Sequence, residues 1–336
     1  MHASARTRLC VVLLGLCASI TASTIIVIRN LSPEHLQWKP PELSRVAGDA
    51  SASTVLNDSV REQDSAHEID VHVLKERFAI GSRLMLLPKG DGFGTHVLGL
   101  LSVLAYCRTK NLTYVHRPWD HVGHCASGVP IADWSAGLER FTGLVEHELR
   151  LSDSLGPVPA VTRVQFRGRE NDKYFNDNFL ASMRERYLSV MPPKTNSNSF
   201  NATRDTFRVA VHVRRGDVGE SHAGRFTHTT QTLAFMNLVE RSIAAEARSK
   251  TVTFHVYSEG DTESFSELVN AYDRSRIFLH LGQDLTMTFH DMVSADAIIM
   301  AKSGFSYAAA LLATGKVFYQ PFWIEPLGVW HMLPSR

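Results

Sequence analysis

Cysteine is scarce: four residues in 336, two of them (Cys10, Cys17) inside an apolar N-terminal stretch and two (Cys107, Cys125) in the body. A disulfide-built scaffold is thereby excluded. What remains is a single Cys107 to Cys125 bridge or a buried Cys107 thiol on a helix. Charge of one sign is lacking too. Lysine and arginine number 35 against 34 acidic residues, a formal net charge of +1, so there is no electrostatic case for nucleic acid and any anion site must be local. Internal repeats and long charge runs are absent. A phosphate loop ending in Gly-Lys-Ser/Thr is absent as well, and the glycine-rich stretch at 90–94 lacks that ending, which argues against a P-loop kinase or sulfotransferase.

Long uncharged apolar runs are limited to Leu9 to Ile28, long enough to span a bilayer as a helix. Arg6 and Arg8 precede it and the next basic residue is Arg29, which predicts a cytoplasmic N-terminus and a lumenal body. A cleaved signal peptide, with small residues near Ala22 and Ser23, is the competing reading. The expected organisation is a tail at 1–8, a signal-anchor helix at 9–28 and a flexible stem at 29–70. A first domain at 71–200 and a second at 201–336 follow. Asn-X-Ser/Thr acceptors at Asn57, Asn111 and Asn201 are compatible with a lumenal body.

In the body, Arg83 to Leu87 reads as a strand, Gly90 to Gly94 as a tight loop, the segment to Cys107 as a helix and Leu112 to Val115 as the next strand. Residues 117–200 are broken by Gly, Pro and Asn, with a helix over Asp172 to Leu188. Five β-rich runs follow: Phe207 to Val213, Val252 to Tyr257, Ile277 to Leu281, Ala297 to Ala301 and Val317 to Tyr319. Helical patterns over Thr230 to Ala247, Ser264 to Tyr272 and Ser306 to Ala313 separate them. This alternation predicts an α/β fold of two Rossmann-like halves, the C-terminal one a doubly wound parallel sheet, with ligands beyond the carboxyl ends of its strands.

One such strand end carries Val209-Ala-Val-His-Val-Arg-Arg-Gly-Asp217. Two adjacent guanidiniums suit a diphosphate, and Gly216 permits a sharp turn beside it. A salt-bridged strand terminus, with Asp217 neutralising an arginine, is the structural alternative.

His212-Val-Arg-Arg-Gly-Asp217 resembles the His-X-Arg-Arg-Gly-Asp motif of the superfamily of α1,2- and α1,6-fucosyltransferases and protein O-fucosyltransferases. Gly92-Phe-Gly-Thr-His-Val-Leu98 resembles that family's glycine loop, and Asp296 to Ser306 its third motif. The resemblance implies a GT-B-like fold, GDP-fucose as donor, inversion, and no metal or other cofactor. It further implies a glycan or glycoprotein acceptor and a Golgi membrane location with type II topology. By residue, it implies that Arg214 stabilises the departing GDP and that His212 contacts the nucleotide. The backbone of Gly92, Phe93 and Gly94 cradles the diphosphate, and Ser303 and Ser306 donate to phosphate. Arg215, on the opposite strand face, either joins them or braces the loop. Asp284 or Asp291 is the candidate for the guanine ring. Glu220, Asp217 or His222 is the candidate base, with Glu220 favoured.

His116, Asp120, His121, His124 and Cys125 crowd into ten residues without matching a zinc template, so the expectation is a cleft-lining loop and no metal. Trp119, Trp323 and Trp330 are candidates to stack on sugar rings, core packing being the alternative.

Overall fold

The computed structural model describes residues 79–335 apart from 80, 88–89, 126–127, 155, 192–204, 223 and 249. The expected tail, anchor and stem (1–70) and the acceptors Asn57 and Asn201 lie outside the described residues. Among those described, no helix is long and apolar enough to cross a membrane.

The first half runs β1 (Arg83–Leu86), α1 (Phe93–Lys110), β2 (Thr113–His116), α2 (Ile131–Thr142), β3 (Leu149–Arg150), β4 (Ala160–Val161), α3 (Glu170–Tyr174) and α4 (Asp177–Val190). Its four strands are all parallel, in the order β3-β2-β1-β4. Helix α1 is buried along most of its length and ends where Asn111 takes a left-handed conformation (φ 52°) and donates its N–H to the carbonyls of Cys107 and Arg108. Asparagine tolerates that conformation better than most residues. Cys107 lies buried in α1 and neither it nor Cys125 forms a disulfide; burial pushes the Cys107 thiol up to about 12. The single helix expected over 172–188 is two, because Asn176 adopts extended backbone and its side chain accepts from Phe179 N, starting α4 afresh.

The second half runs β5 (Thr206–His212), α5 (Thr229–Ala247), β6 (Thr251–Ser258), α6 (Ser266–Ala271), β7 (Ile277–Leu281), α7 (Leu285–Val293), β8 (Ala297–Ile299), α8 (Gly304–Leu312), β9 (Lys316–Tyr319) and β10 (His331–Met332). Its six strands are all parallel, in the order β10-β9-β8-β5-β6-β7. Strand order therefore reverses between β5 and β8, the switch point of a doubly wound sheet.

Alternation along β5 decides which side chains meet the site. Phe207, Val209, Val211 and Val213 face one way and pack with Phe235, Met236, Val239 and Ile243 of α5. Each such burial stabilises by about 1.5–3 kcal/mol. Arg208, Ala210, His212 and Arg214 point the other way, and Ala210 joins the larger core that contains α1 and α8. Phe93, Phe141 and Tyr187 from the first half interlock there with Phe289 and Phe305 from the second, at centroid distances of 5.2 to 6.2 Å. The two sheets thus share one core.

Candidate functional site

Beyond the carboxyl ends of β1 and β4 in one sheet, and of β5 to β8 in the other, lies a cleft of ≈ 900 Å³. That volume suits a ligand the size of a nucleotide sugar. Its floor is built by two helix starts. Gly92 caps α1 without a side chain, and its carbonyl takes the N–H groups of Thr95 and His96. The earliest N–H groups, including that of Gly94, have no acceptor within the helix. A Cβ on Gly94 would stand 2.4 Å from the backbone N and Cα of Phe305, so α1 and α8 touch backbone to backbone at their N-termini. Two positive dipole ends therefore lie side by side at the cleft, a suitable seat for an anion. Phe93 buries its ring in the aromatic core and offers the cleft its backbone.

His212 and Arg214 reach the cleft from β5. The Nδ1 of His212 is shielded from solvent and has no hydrogen-bond partner. Burial, and secondarily the Arg214 charge, hold the ring down to about 3, so it is a neutral imidazole at any physiological pH. A shielded polar atom left unpaired costs about 1–3 kcal/mol, and in a cleft it is the mark of a group awaiting a ligand.

Arg214 donates from Nε to Asp217 Oδ1 (3.1 Å) and from Nη2 to Oδ2 (2.6 Å), a two-pronged ion pair at the rim. The hydrogen bonds from Arg214 chiefly, and then the charges of Arg214, His124 and Arg225, hold the Asp217 carboxyl below its usual range against a smaller opposing desolvation. An ionised carboxylate with both oxygens so engaged is a poor proton acceptor, and its position is that of a partner to Arg214. Gly216 has φ +75°, and a Cβ there would collide with the carboxylate of Glu259. The positive φ is what calls for glycine, since the Glu259 carboxylate is the end of a flexible side chain that can swing aside.

Several sequence-derived assignments shift. Arg215 donates from Nη1 to the carbonyl of Arg214 and from Nη2 to that of Thr227, with its guanidinium 4.2 Å from the Phe226 ring centroid. It braces the loop, as its place on the opposite strand face implies, and it also lines the cleft. Ser303 caps α8 by accepting from Phe305 N and lines the cleft. Ser306 is fully buried and donates to the Ala301 carbonyl, closing the turn from β8 to α8, so it faces away from the cleft. The Oδ1 of Asp284 accepts from Thr286 N and Met287 N and caps α7, which commits it to the helix. Asp291 is buried and accepts from Gln283 Nε2 at 2.8 Å; Gln283 itself lines the cleft. Glu220 points outward, 78% exposed and 3.9 Å from His228, and His222 is an exposed loop residue outside the cleft lining. The carboxylates that do line the cleft are Asp91, Asp217 and Glu259.

Within the histidine-rich loop, His116 is buried, contacting Glu139 Oε2 at 2.9 Å and the Tyr114 hydroxyl at 3.1 Å. Glu139 also accepts from Trp119 N. Desolvation raises the Glu139 carboxyl, but His116, the Trp119 N–H and Arg150 together bring it below the ordinary value. This is a structural knot. Among the described residues no group of three or more His, Cys, Asp or Glu is placed to hold a metal ion. His124 does line the cleft.

Sequence reasoning missed Glu259, His96, Arg163 and Arg225, all cleft-lining. Glu259 directly follows β6, so strand-end position was an available signal. The two arginines sit on irregular loops that carry none.

No family model and no curated protein matches this chain. Solved structures similar to it include the fucosyltransferase NodZ from Bradyrhizobium, at 14% identity and TM-score 0.34, over 69% of this chain and 93% of that one. POFUT1 in complex with GDP is similar at 13% identity and TM-score 0.34, over 70% and 96%. The E. coli heptosyltransferase WaaC with ADP-2-deoxy-2-fluoro heptose is similar at 11% identity and TM-score 0.34, over 76% and 93%. Likeness at this level says nothing of substrate.

Proposed function

We propose that the chain is an inverting, GT-B-like glycosyltransferase that moves L-fucose from GDP-fucose to a hydroxyl of a glycan or glycoprotein without a catalytic metal. One observation carries this reading. Two helix N-termini in backbone contact at Gly94 meet a strand end that presents a neutral, unpaired His212 and the guanidinium of Arg214. A diphosphate fits the dipole ends, and the histidine supplies a neutral hydrogen-bonding group for the nucleoside side of the ligand. The choice of guanine and fucose rests on the His212 to Asp217 motif and its two companion segments.

In the reaction, the acceptor oxygen forms a bond to the anomeric carbon as the bond from that carbon to the phosphate oxygen breaks. The bonding pair leaves with GDP, and the acceptor proton passes to a base. Arg214 is placed to meet the charge that grows on the departing phosphate, which favours the transition state over the bound donor. To do so it shares or exchanges Asp217 for phosphate oxygen. Glu259, a cleft carboxylate beside Gly216, is the candidate base in place of Glu220. The segment at 9–28 is proposed to anchor the protein in the Golgi membrane with this body in the lumen.

Calorimetry of the purified protein with GDP, UDP and ADP tests the donor, and transfer from labelled GDP-fucose to a glycan array tests the reaction. Arg214→Lys should bind GDP but lose about 100-fold or more in turnover, with an unchanged melting temperature. Preference for UDP, or full turnover in the variant, rejects the assignment.

A further inference from the structure

An inverting displacement needs the acceptor hydroxyl on the face of the anomeric carbon opposite the departing phosphate, so its binding surface belongs on the rim of this same cleft, across the sugar from the seat of the diphosphate. Of the three tryptophans singled out by sequence, Trp119 is buried against Phe93 and His96, and Trp330 against Tyr307 and Tyr319. Trp323 is 46% exposed. Of the exposed large apolar side chains among the described residues, it alone lines the cleft.

That exposure does not come from a loose loop. The segment after β9 is pinned from both halves: the Tyr319 hydroxyl donates to the Ile324 carbonyl, and the Tyr307 hydroxyl and Asn171 Nδ2 donate to that of Glu325. Gly168 N donates to the Glu325 carboxylate and Gly328 N to that of Asp172. Phe322 packs edge-on against the indole at 4.9 Å, and the Arg225 guanidinium lies 5.1 Å from its ring centroid. A rigid loop that leaves its largest apolar side chain half in water beside a polar rim is presenting it to a ligand. Arg225 and Asp217 line the same cleft as Trp323, and the Arg225 charge helps to hold the Asp217 carboxyl down, so the indole opens on the cavity that holds Arg214.

We propose that Trp323 is the platform on which a carbohydrate acceptor lies, with Arg225 donating to its hydroxyls. The C–H face of a pyranose ring is apolar while its edge carries hydroxyls. An aromatic plane flanked by a forked donor matches both. The proposal rests on the glycosyltransferase reading of the same cleft and adds the acceptor class. A peptide acceptor, or a purine stacked on the same ring, would use the indole differently.

The test uses the purified full chain with lactose, chitotriose and a Ser/Thr-containing peptide. Titration of chitotriose and lactose without nucleotide, read by calorimetry, should give a saturable heat of binding in the wild type that Trp323→Ala abolishes and Trp323→Phe retains. In transfer assays Trp323→Ala should raise the acceptor KM roughly tenfold with kcat and GDP affinity little changed. Loss of GDP affinity in Trp323→Ala would assign the ring to the base. Saccharide titrations that are flat in the wild type, or transfer to the peptide with a KM that ignores Trp323, would also overturn the proposal. Saccharide binding that survives while GDP fails to bind would sink the donor reading alone.

Discussion

His255 shows what a single buried ring does to this protein's response to acid. It stands on β6 one rung from His212 on the same sheet face, and its Nδ1 lies 3.1 Å from His280 Nε2. Burial chiefly, then the charges of His280 and Arg208, push it down to about 3. Burial lowers His280 as well, against the opposing pull of Asp291. With a folded value below the unfolded 6.5, the unfolded chain binds more protons between the two, so stability is complete above about pH 6.5 and is lost as pH falls toward 3. The melting temperature should therefore decline from pH 7 to pH 4, and His255→Gln should flatten that decline. An equal slope in the variant would place the acid sensitivity elsewhere. At this scale the sequence was only half legible. The His212 and Arg214 positions follow from β alternation. Whether Ser306 or Asp284 turns to a ligand or to its own backbone is decided by the helix each one begins, and no local pattern reveals that.

At the scale of elements, strands β5 to β9 could be read because their apolar runs are short, β-branched and punctuated, and the parallel order follows from the helices between them. Helix α7 was missed: Leu285, Phe289, Met292 and Val293 keep a helical spacing, but Thr286, Thr288, His290 and Asp291 interrupt it; three of these are buried, and His290 finds its partner in Tyr187, far along the chain. The backbone contact between α1 and α8 was equally hidden, since a glycine in a loop says nothing of what will approach it. That contact is testable. Gly94→Ala places a methyl within 2.4 Å of the Phe305 backbone, where no side chain can swing aside. It should cost about 1–3 kcal/mol of stability and weaken GDP binding by prising the two helix starts apart. Thermal melts and calorimetry would read both, and undiminished GDP affinity would mean that the paired dipoles do not form the seat.

For the whole molecule, the decisive feature is the aromatic cluster that joins the halves. Phe289 is fully buried and contacts Phe93, Phe141, Tyr187 and Phe305. Phe289→Ala should cost about 3–5 kcal/mol. Because both sheets lean on the same cluster, the loss should appear as one transition moved to lower temperature in calorimetry. Two separated transitions would show that the halves fold independently. Neighbouring lobes joined by small polar interfaces usually rock against one another. Here the hydrophobic seam and the strap after β9 oppose such motion. A ligand entering this crevice then meets walls already in position, so its arrival and departure are governed by diffusion past the mouth and by the strength of its grip, with little waiting for a hinge to swing.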